Sequence, residues 1–215
     1  MTIAVLTANL GNFDSVTENV QQSVPHVFHR FTDQNFPPIK GLTPRLQYRI
    51  PKMFGWEMMP GHDIYIWLDG SFSMQHPDSI KWFISQLGNA DIAVFRHPWR
   101  KTAKEEVDHI EEYLKKGNKY ITSRYENGLH KEQYDFMMKD PGFVDEHLFT
   151  STAFVYRNRA DVVAALAHWW MQSSRFFTCD QIVFPYILLK SGLTIKVIEE
   201  NQYRIPYLSL TSHHK

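Results

Sequence analysis

The chain has 215 residues, of which 43% are hydrophobic, and its 23 basic and 23 acidic side chains give a formal net charge of zero. This composition is that of a globular protein, and the balanced charge argues against a general binder of nucleic acids or membrane surfaces. Cys179 is the single cysteine, which excludes an intrachain disulfide framework and a cysteine-based zinc site. Aromatic residues make up 14%, which predicts either an aromatic core or a cleft lined with rings.

The sequence predicts no membrane span and no secretion signal. The longest apolar run, at residues 162–171, is interrupted by His168 and is shorter than the roughly 20 residues that cross a bilayer. The N-terminal segment lacks a basic region and is typical of a buried strand. We therefore expect a cytoplasmic protein.

Strands and helices alternate over the first 100 residues. The predicted strands lie at 2–8, 26–32, 63–68 and 91–95, and the predicted helices at a short segment capped by Asp14 or Ser15, at 45–56 with a break at Pro51, and at 77–87.

The second half is more mixed. Its sequence predicts strands at 147–156 and 193–198 and helices at 101–116, 118–126, 159–172 and 178–190, the last capped by Thr178. Residues 127–146 are predicted to be mostly irregular, with room for a short helix at 131–138, and residues 206–215 to form an irregular arm. The simplest interpretation is one α/β/α sandwich with a mostly parallel central sheet. Ligands bind such sheets outside the carboxyl ends of the strands, and polar candidate residues follow several of these strands.

Candidate ligand-binding residues follow the first two strands. Gly11, in the segment TANLGNF, would let the backbone approach a phosphate, although taken alone the segment is more simply an ordinary strand-to-helix turn. Asp33 would accept hydrogen bonds from a base or ribose, or else serve as a turn residue.

The third strand ends at Asp69-Gly70-Ser71 in the segment YIWLDGSF. A carboxylate at the tip of a buried strand suits a hard divalent cation, and a glycine beside it would let a metal or phosphate come close. A simple turn aspartate is the alternative.

The fourth strand is followed by FRHPWR, with Glu105 and Glu106 shortly after. Arg96 and Arg100 offer guanidinium forks for phosphate or carboxylate groups, and Trp99 offers an apolar face for a sugar ring. A surface cluster of ion pairs is the alternative.

Two later segments carry further candidates. Asp180 is either a carboxylate facing the cleft or a favourable charge at a helix start, and Cys179 beside it is more simply a small buried residue than a nucleophile. His213 and His214 in the tail could contribute a metal ligand, or belong to a disordered terminus or a tag remnant.

Together these segments resemble a GT-A-type glycosyltransferase, and more narrowly the TOD1/MUCI70 glycosyltransferase-like family. The matching segments span about residues 1–205 and are YRIPKMF, YIWLDGSFSM, FRHPWR with its two glutamates, QYDFMM, LFTSTAFVYRN and CDQIVFPYIL.

The resemblance implies a single GT-A-like (Rossmann-like) domain over residues 1–215. Its nucleotide-binding half would cover about 1–100, its acceptor or catalytic half about 101–205, and its C-terminal arm 206–215. It implies transfer from a nucleotide-sugar donor to a carbohydrate or glycoconjugate acceptor, with no nucleic-acid partner. The implied donor-binding residues are Ala8, Asn9, Gly11, Asp33, Arg49, Lys52, Arg96 and Arg100, and the implied substrate contacts are His97, Trp99 and Gln181.

The resemblance also places Asp69 where the family has its Asp-x-Asp metal motif, with Ser71 in place of the second aspartate. Mn²⁺ or Mg²⁺ would be held by Asp69, Ser71 and His213, or else Lys52, Arg96 and Arg100 would stabilise the diphosphate leaving group instead. Asp180 would be the base of an inverting enzyme, with Asp145 or Glu146 as the next candidate for that role. In a retaining enzyme Asp180 would instead orient the sugar.

Two other functions remain open at the level of the sequence. The degenerate metal motif favours a nucleotide-sugar or carbohydrate-binding module that has lost catalysis. A hydrolase that uses Cys179 with a histidine is the third hypothesis.

Overall fold

The computed structural model describes residues 1–177 and 179–211. Its strands are β1 (Ile3–Asn9), β2 (Val27–Thr32), β3 (Ile64–Asp69), β4 (Phe72–Met74), β5 (Ile92–Arg96), β6 (Phe149–Arg157), β7 (Ile195–Ile198) and β8 (Leu208–Leu210). Its helices are α1 (Pro44–Met58), α2 (Ser79–Leu87), α3 (Ala103–Lys115), α4 (Lys119–Tyr125), α5 (Leu129–Met138), α6 (Ala160–Phe176) and α7 (Asp180–Lys190).

Six strands form the central sheet in the order β2-β1-β3-β6-β5-β7. Only β6 runs antiparallel to its neighbours β3 and β5, and the other three pairings are parallel. The expected α/β sandwich with a mostly parallel sheet is therefore confirmed. Strands from both halves of the chain interleave, because β6 separates β3 from β5.

Alternate residues of the central strands feed two separate cores, as the period of a strand requires. Leu6 and Trp67 point to one face, which α1 and α3 to α7 cover. Val5 and Ile66 point to the other face, which α2 and the small β4–β8 sheet cover. Both faces of β1 and β3 are buried, which explains their almost unbroken apolar sequence.

The connection between β1 and β2 corrects the prediction of a helix after Asp14 or Ser15. Residues 10–26 contain no helix. Asn9 binds both backbone groups of Asp14, its Nδ2 donating to the carbonyl at 2.8 Å and its Oδ1 accepting from the amide at 3.0 Å. The amide of Val20 donates to the Met74 carbonyl at 2.9 Å. Tertiary partners thus satisfy backbone groups that a helix would otherwise pair.

Two further expectations were wrong. The arm is not irregular throughout, because Leu208–Leu210 pairs with Phe72–Met74 as an antiparallel ribbon that the sequence did not predict. Helix α1 continues through Pro51 and is kinked instead at Phe54, its one non-helical residue. Next to the kink, the helix lies so close to β1 that a Cβ on Gly55 would overlap the Leu6 side chain. The predicted cap Thr178 lies outside the described residues.

Gly70 generates a stability prediction. A Cβ there would meet the Ala8 carbonyl oxygen and lie 2.5 Å from Asp14 Oδ2, so the turn after β3 admits only glycine. We expect Gly70→Ala to lower the free energy of unfolding by about 3 kcal/mol in urea denaturation. Gly142→Ala is the matched control, since its Cβ meets the far end of the long Lys190 side chain and the cost should stay below about 1 kcal/mol. Equal losses in the two variants would contradict this account.

Candidate active site

A cavity of about 390 Å³ lies at the carboxyl ends of β1 and β3. The loop after β1 contributes Leu10, Phe13 and Asp14, and the end of β3 contributes Asp69 and Ser71. Helices α1, α3 and α4 and the N-terminus of α7 close the other sides. This is the position at which open α/β sheets bind ligands.

Helix α1 presents a row of cations to the cavity. Arg45, Arg49 and Lys52 are spaced by four and three residues, so they lie on one helical face. Thr43 caps this helix by accepting a hydrogen bond from the Leu46 amide at 3.2 Å, which fixes where the row begins. The sequence prediction found Arg49 and Lys52. The helical spacing from Arg49 was the signal that points to Arg45.

Lys52 sits at the centre of the site, with its side chain only 2% exposed. Its Nζ lies 2.7 Å from Asp180 Oδ2 and 3.2 Å from Asp69 Oδ1, and it donates to Ser151 Oγ at 3.2 Å. Trp67 also donates to Asp69 Oδ1, at 2.7 Å. One ammonium therefore joins α1 to β3, β6 and α7.

The two carboxylates of this cluster have opposite pKa shifts. Burial would raise the pKa of Asp180, but Lys52 and Arg49 outweigh it and hold that pKa well below its usual range. Burial raises the pKa of Asp69, because Lys52 only partly compensates and Asp180 adds repulsion. Asp180 is therefore a poor proton acceptor and a permanent negative charge at neutral pH.

Arg45 and Arg124 form the second cationic part of the cavity wall. Arg45 donates to the Tyr125 hydroxyl at 2.6 Å and lies over its ring, and Arg124 lies over the Tyr120 ring and donates to its hydroxyl. Within the described residues, neither guanidinium has a carboxylate within ion-pair distance. Two partly buried cations that lack carboxylate partners favour an anionic ligand. No sequence motif marked Arg124, which lies on a polar helix.

Arg100 is the one cation of the FRHPWR segment that lines the cavity, and it pairs with buried Glu106. His97 does not line it. Its Nδ1 accepts hydrogen bonds from the amides of Trp99 and Arg100, at 3.3 and 2.9 Å. Burial, with a contribution from Arg100, lowers the pKa of His97 to about 4, so the ring is neutral and braces the turn.

Several predicted donor-binding residues lie outside the cavity lining. Arg96 pairs instead with exposed Glu199 at 2.6 Å. Asp33 accepts from the Gly11 amide at 3.0 Å, so this pair shapes the loop after β1. Ala8 is fully buried in the core, and Asn9 binds Asp14 as described above. Asn9, Gly11 and Asp33 therefore shape the loop that carries Phe13 into the cavity.

Some of the remaining candidate residues line the cavity, and others lie outside it. Gln181 lines the cavity beside Asp180. Asp145 accepts hydrogen bonds from the first amides of α3, at 2.8 and 2.9 Å, and neither it nor Glu146 lines the cavity. Cys179 does line it, but burial, reinforced by Asp180, raises the pKa of its thiol, which weighs against a cysteine nucleophile.

The donor set does not fit a protein-built metal site. Asp69 Oδ1 already binds Lys52 and Trp67. In residues 1–177 and 179–211, no group of three or more histidine, cysteine, aspartate or glutamate side chains could hold a metal ion. His213, the third predicted ligand, lies outside the described residues. The requirement for Mn²⁺ or Mg²⁺ stays a prediction.

Comparison with solved structures finds likenesses, one of them to a glycosyltransferase. The chain matches a crystal structure of a glycosyltransferase involved in the glycosylation of the major capsid of PBCV-1, with a TM-score of 0.47 and 10% identity, over 93% of this chain and 82% of that one. No protein-family profile and no curated protein matches. Among the described residues, no helix has the length and apolar character needed to cross a membrane.

Asp180 generates a prediction of pH dependence. Because its pKa is lowered by Lys52 and Arg49, and Asp69 also faces the cluster, its ion pair stabilises the fold at neutral pH. That contribution begins to fall below about pH 4, where the unfolded carboxyl takes up a proton, and is gone only when the pH falls below the lowered pKa of the folded state. Asp180→Asn should cost about 3 kcal/mol of unfolding free energy at pH 7, and about 1 kcal/mol less at pH 3. Urea denaturation at both pH values measures this.

The control for that measurement is Asp161→Asn, which breaks an exposed pair with Arg159. It should cost less than about 1 kcal/mol. A loss in Asp180→Asn that is the same at both pH values would contradict the proposed ion-pair origin.

Proposed function

We propose that this protein is a glycosyltransferase that moves a sugar from a nucleotide-sugar donor to a carbohydrate or glycoconjugate acceptor. The observation that carries the proposal is the row of cations on α1, Arg45, Arg49 and Lys52. This row lines a cavity at the carboxyl ends of the parallel strands, and its last member, Lys52, contacts the ionised Asp180. The resemblance of WLDGS, HPWR and DQ to the TOD1/MUCI70 family supports it.

The cavity offers separate environments for the parts of such a donor. Leu10, Phe13 and Pro44 form an apolar wall that suits a nucleoside. The guanidinium groups of Arg45, Arg49 and Arg124 suit a diphosphate, because each offers a fork of donors to phosphate oxygens. Asp180 and Gln181 would then face the sugar.

The cationic wall would accelerate the reaction through its effect on the leaving group. Glycosyl transfer passes through an oxocarbenium-like transition state, in which the departing diphosphate gains negative charge. Fixed cations in a site shielded from water stabilise that charge more than they stabilise the bound donor. Metal-independent stabilisation by arginine and lysine is therefore our preferred form of the proposal.

Asp180 is assigned to orienting the donor sugar, since its low pKa makes it a poor base and a good acceptor of hydrogen bonds from sugar hydroxyls. The bond from C1 to the diphosphate breaks with its electron pair on the phosphate oxygen. The acceptor oxygen bonds to C1 and passes its proton to that phosphate oxygen. This is the route of a retaining transferase.

A binding module without catalysis is the second candidate. The observation that favours it is that two carboxylates of the cavity are held by cations, Asp180 by Lys52 and Glu106 by Arg100. Such a module would bind nucleotide sugars without releasing a nucleoside diphosphate.

Thermal melting with a panel of nucleoside diphosphates and nucleotide sugars tests the proposal. A true donor should raise Tm by mass action and should be hydrolysed slowly to the nucleoside diphosphate. Arg45→Met should weaken binding of the best diphosphate at least about tenfold, because a charged hydrogen bond is lost. Arg96→Met is the matched control outside the cavity and should leave binding unchanged. Binding without hydrolysis would support the module, and no shift with any compound would refute both.

Trp99 is our candidate for the acceptor side. Its ring is 65% exposed, stacks on Tyr203 with centroids 5.1 Å apart, and adjoins Arg100 at the cavity. Tyr203 in turn packs against the buried ring of Phe72, with the ring centroids 5.6 Å apart, and this contact anchors the ring on which Trp99 stacks. An exposed ring fixed by a second ring is suited to stacking against a sugar.

We expect Trp99→Ala to raise the acceptor KM several-fold in transfer assays with a panel of oligosaccharides. Nucleoside diphosphate binding and Tm should hardly change, because the ring is mostly exposed. A loss of diphosphate binding in this variant would place Trp99 on the donor side instead.

A further inference from the structure

The Lys52 ammonium occupies a position built from oxygen ligands. Asp180 Oδ2, Asp69 Oδ1 and Ser151 Oγ surround its Nζ at 2.7, 3.2 and 3.2 Å. Two carboxylates and a hydroxyl are the donors that a hard divalent cation prefers. In this chain, a side chain of the protein supplies the positive charge between them.

The lysine is held in this position by more than its ion pairs. Its Nζ lies 5.6 Å from the centroid of the Trp169 ring and 5.9 Å from that of Tyr48, both within cation–π range. The side chain is 2% exposed, and burial alone would disfavour its charge. The two carboxylates outweigh that penalty and keep the amine protonated, so the position stays filled by a cation.

We infer that Lys52 is the resident cation of this site and takes the place of a divalent metal ion. A metal and the ammonium compete for the same oxygens, and like charges at this separation repel. The occupancy of the site by Lys52 is independent of the proposed function. If Lys52 takes the place of the metal ion, sugar transfer needs no added metal, and this consequence rests on the proposed function.

Electron paramagnetic resonance with Mn²⁺ alone tests the occupancy. The concentration of free Mn²⁺ is measured from its resonance signal as protein is added at neutral pH. The wild-type protein should show no Mn²⁺ site tighter than about millimolar. Lys52→Ala removes the charge and leaves the place of the ammonium open, so it should bind Mn²⁺ at least about tenfold more tightly. This gain should disappear in the double variant that adds Asp180→Asn.

Wild-type binding at micromolar Mn²⁺ that Asp69→Asn abolishes would overturn the inference, because a metal would then share the site with Lys52. A folded Lys52→Ala variant that gains no Mn²⁺ affinity would overturn it as well. If that variant does not fold, the wild-type titration decides.

Thermal melting of the wild-type protein with nucleoside diphosphates separates this inference from the proposed function. The shift should be the same in EDTA and in Mn²⁺. A shift that appears only with Mn²⁺ would overturn the role of Lys52 while supporting nucleotide binding. No shift in either condition would refute the proposed function, and the resonance titration would still decide the occupancy.

Discussion

The contact between the Lys52 ammonium and two carboxylates is the interaction on which the site depends. Moving a lysine and two aspartates out of water costs several kcal/mol per ion, so the charges must meet with good geometry to be stable. That requirement fixes α1 against β3 and α7, because the three side chains come from these three elements. The floor of the cavity is therefore determined by charge pairing as well as by packing.

The row of cations on α1 follows from this arrangement. Once Lys52 is anchored, the helical repeat places Arg49 and Arg45 one and two turns away along the same wall. Arg124 approaches from α4, and its charge adds to the same end of the cavity. Arg45, Arg49 and Arg124 thus gather at one end of the cavity, although the chain as a whole has zero net charge.

Much of the site was visible in the sequence because it lies where strands end. Asp69 and Arg100 lie at or just after the ends of predicted strands, Asp180 lies in the first turn of a predicted helix, and all three line the cavity. The same rule was misleading for Arg96 and Asp33, which also follow strands. Each found a nearer partner, Arg96 in Glu199 and Asp33 in the Gly11 amide, and neither partner is predictable from local sequence.

The sequence by itself determined the alternating α/β pattern, the buried strands and the aromatic excess, because these depend on local periodicity and composition. The tertiary structure decided where the aromatic rings go: Tyr65, Trp67 and Trp169 are buried in the core, whereas Trp99 is exposed. It also decided that Lys52 stands between Asp69 and Asp180, residues 17 and 128 positions away. Pairings over such separations depend on how the helices pack on the sheet, and the sequence pattern near each residue carries no record of that packing.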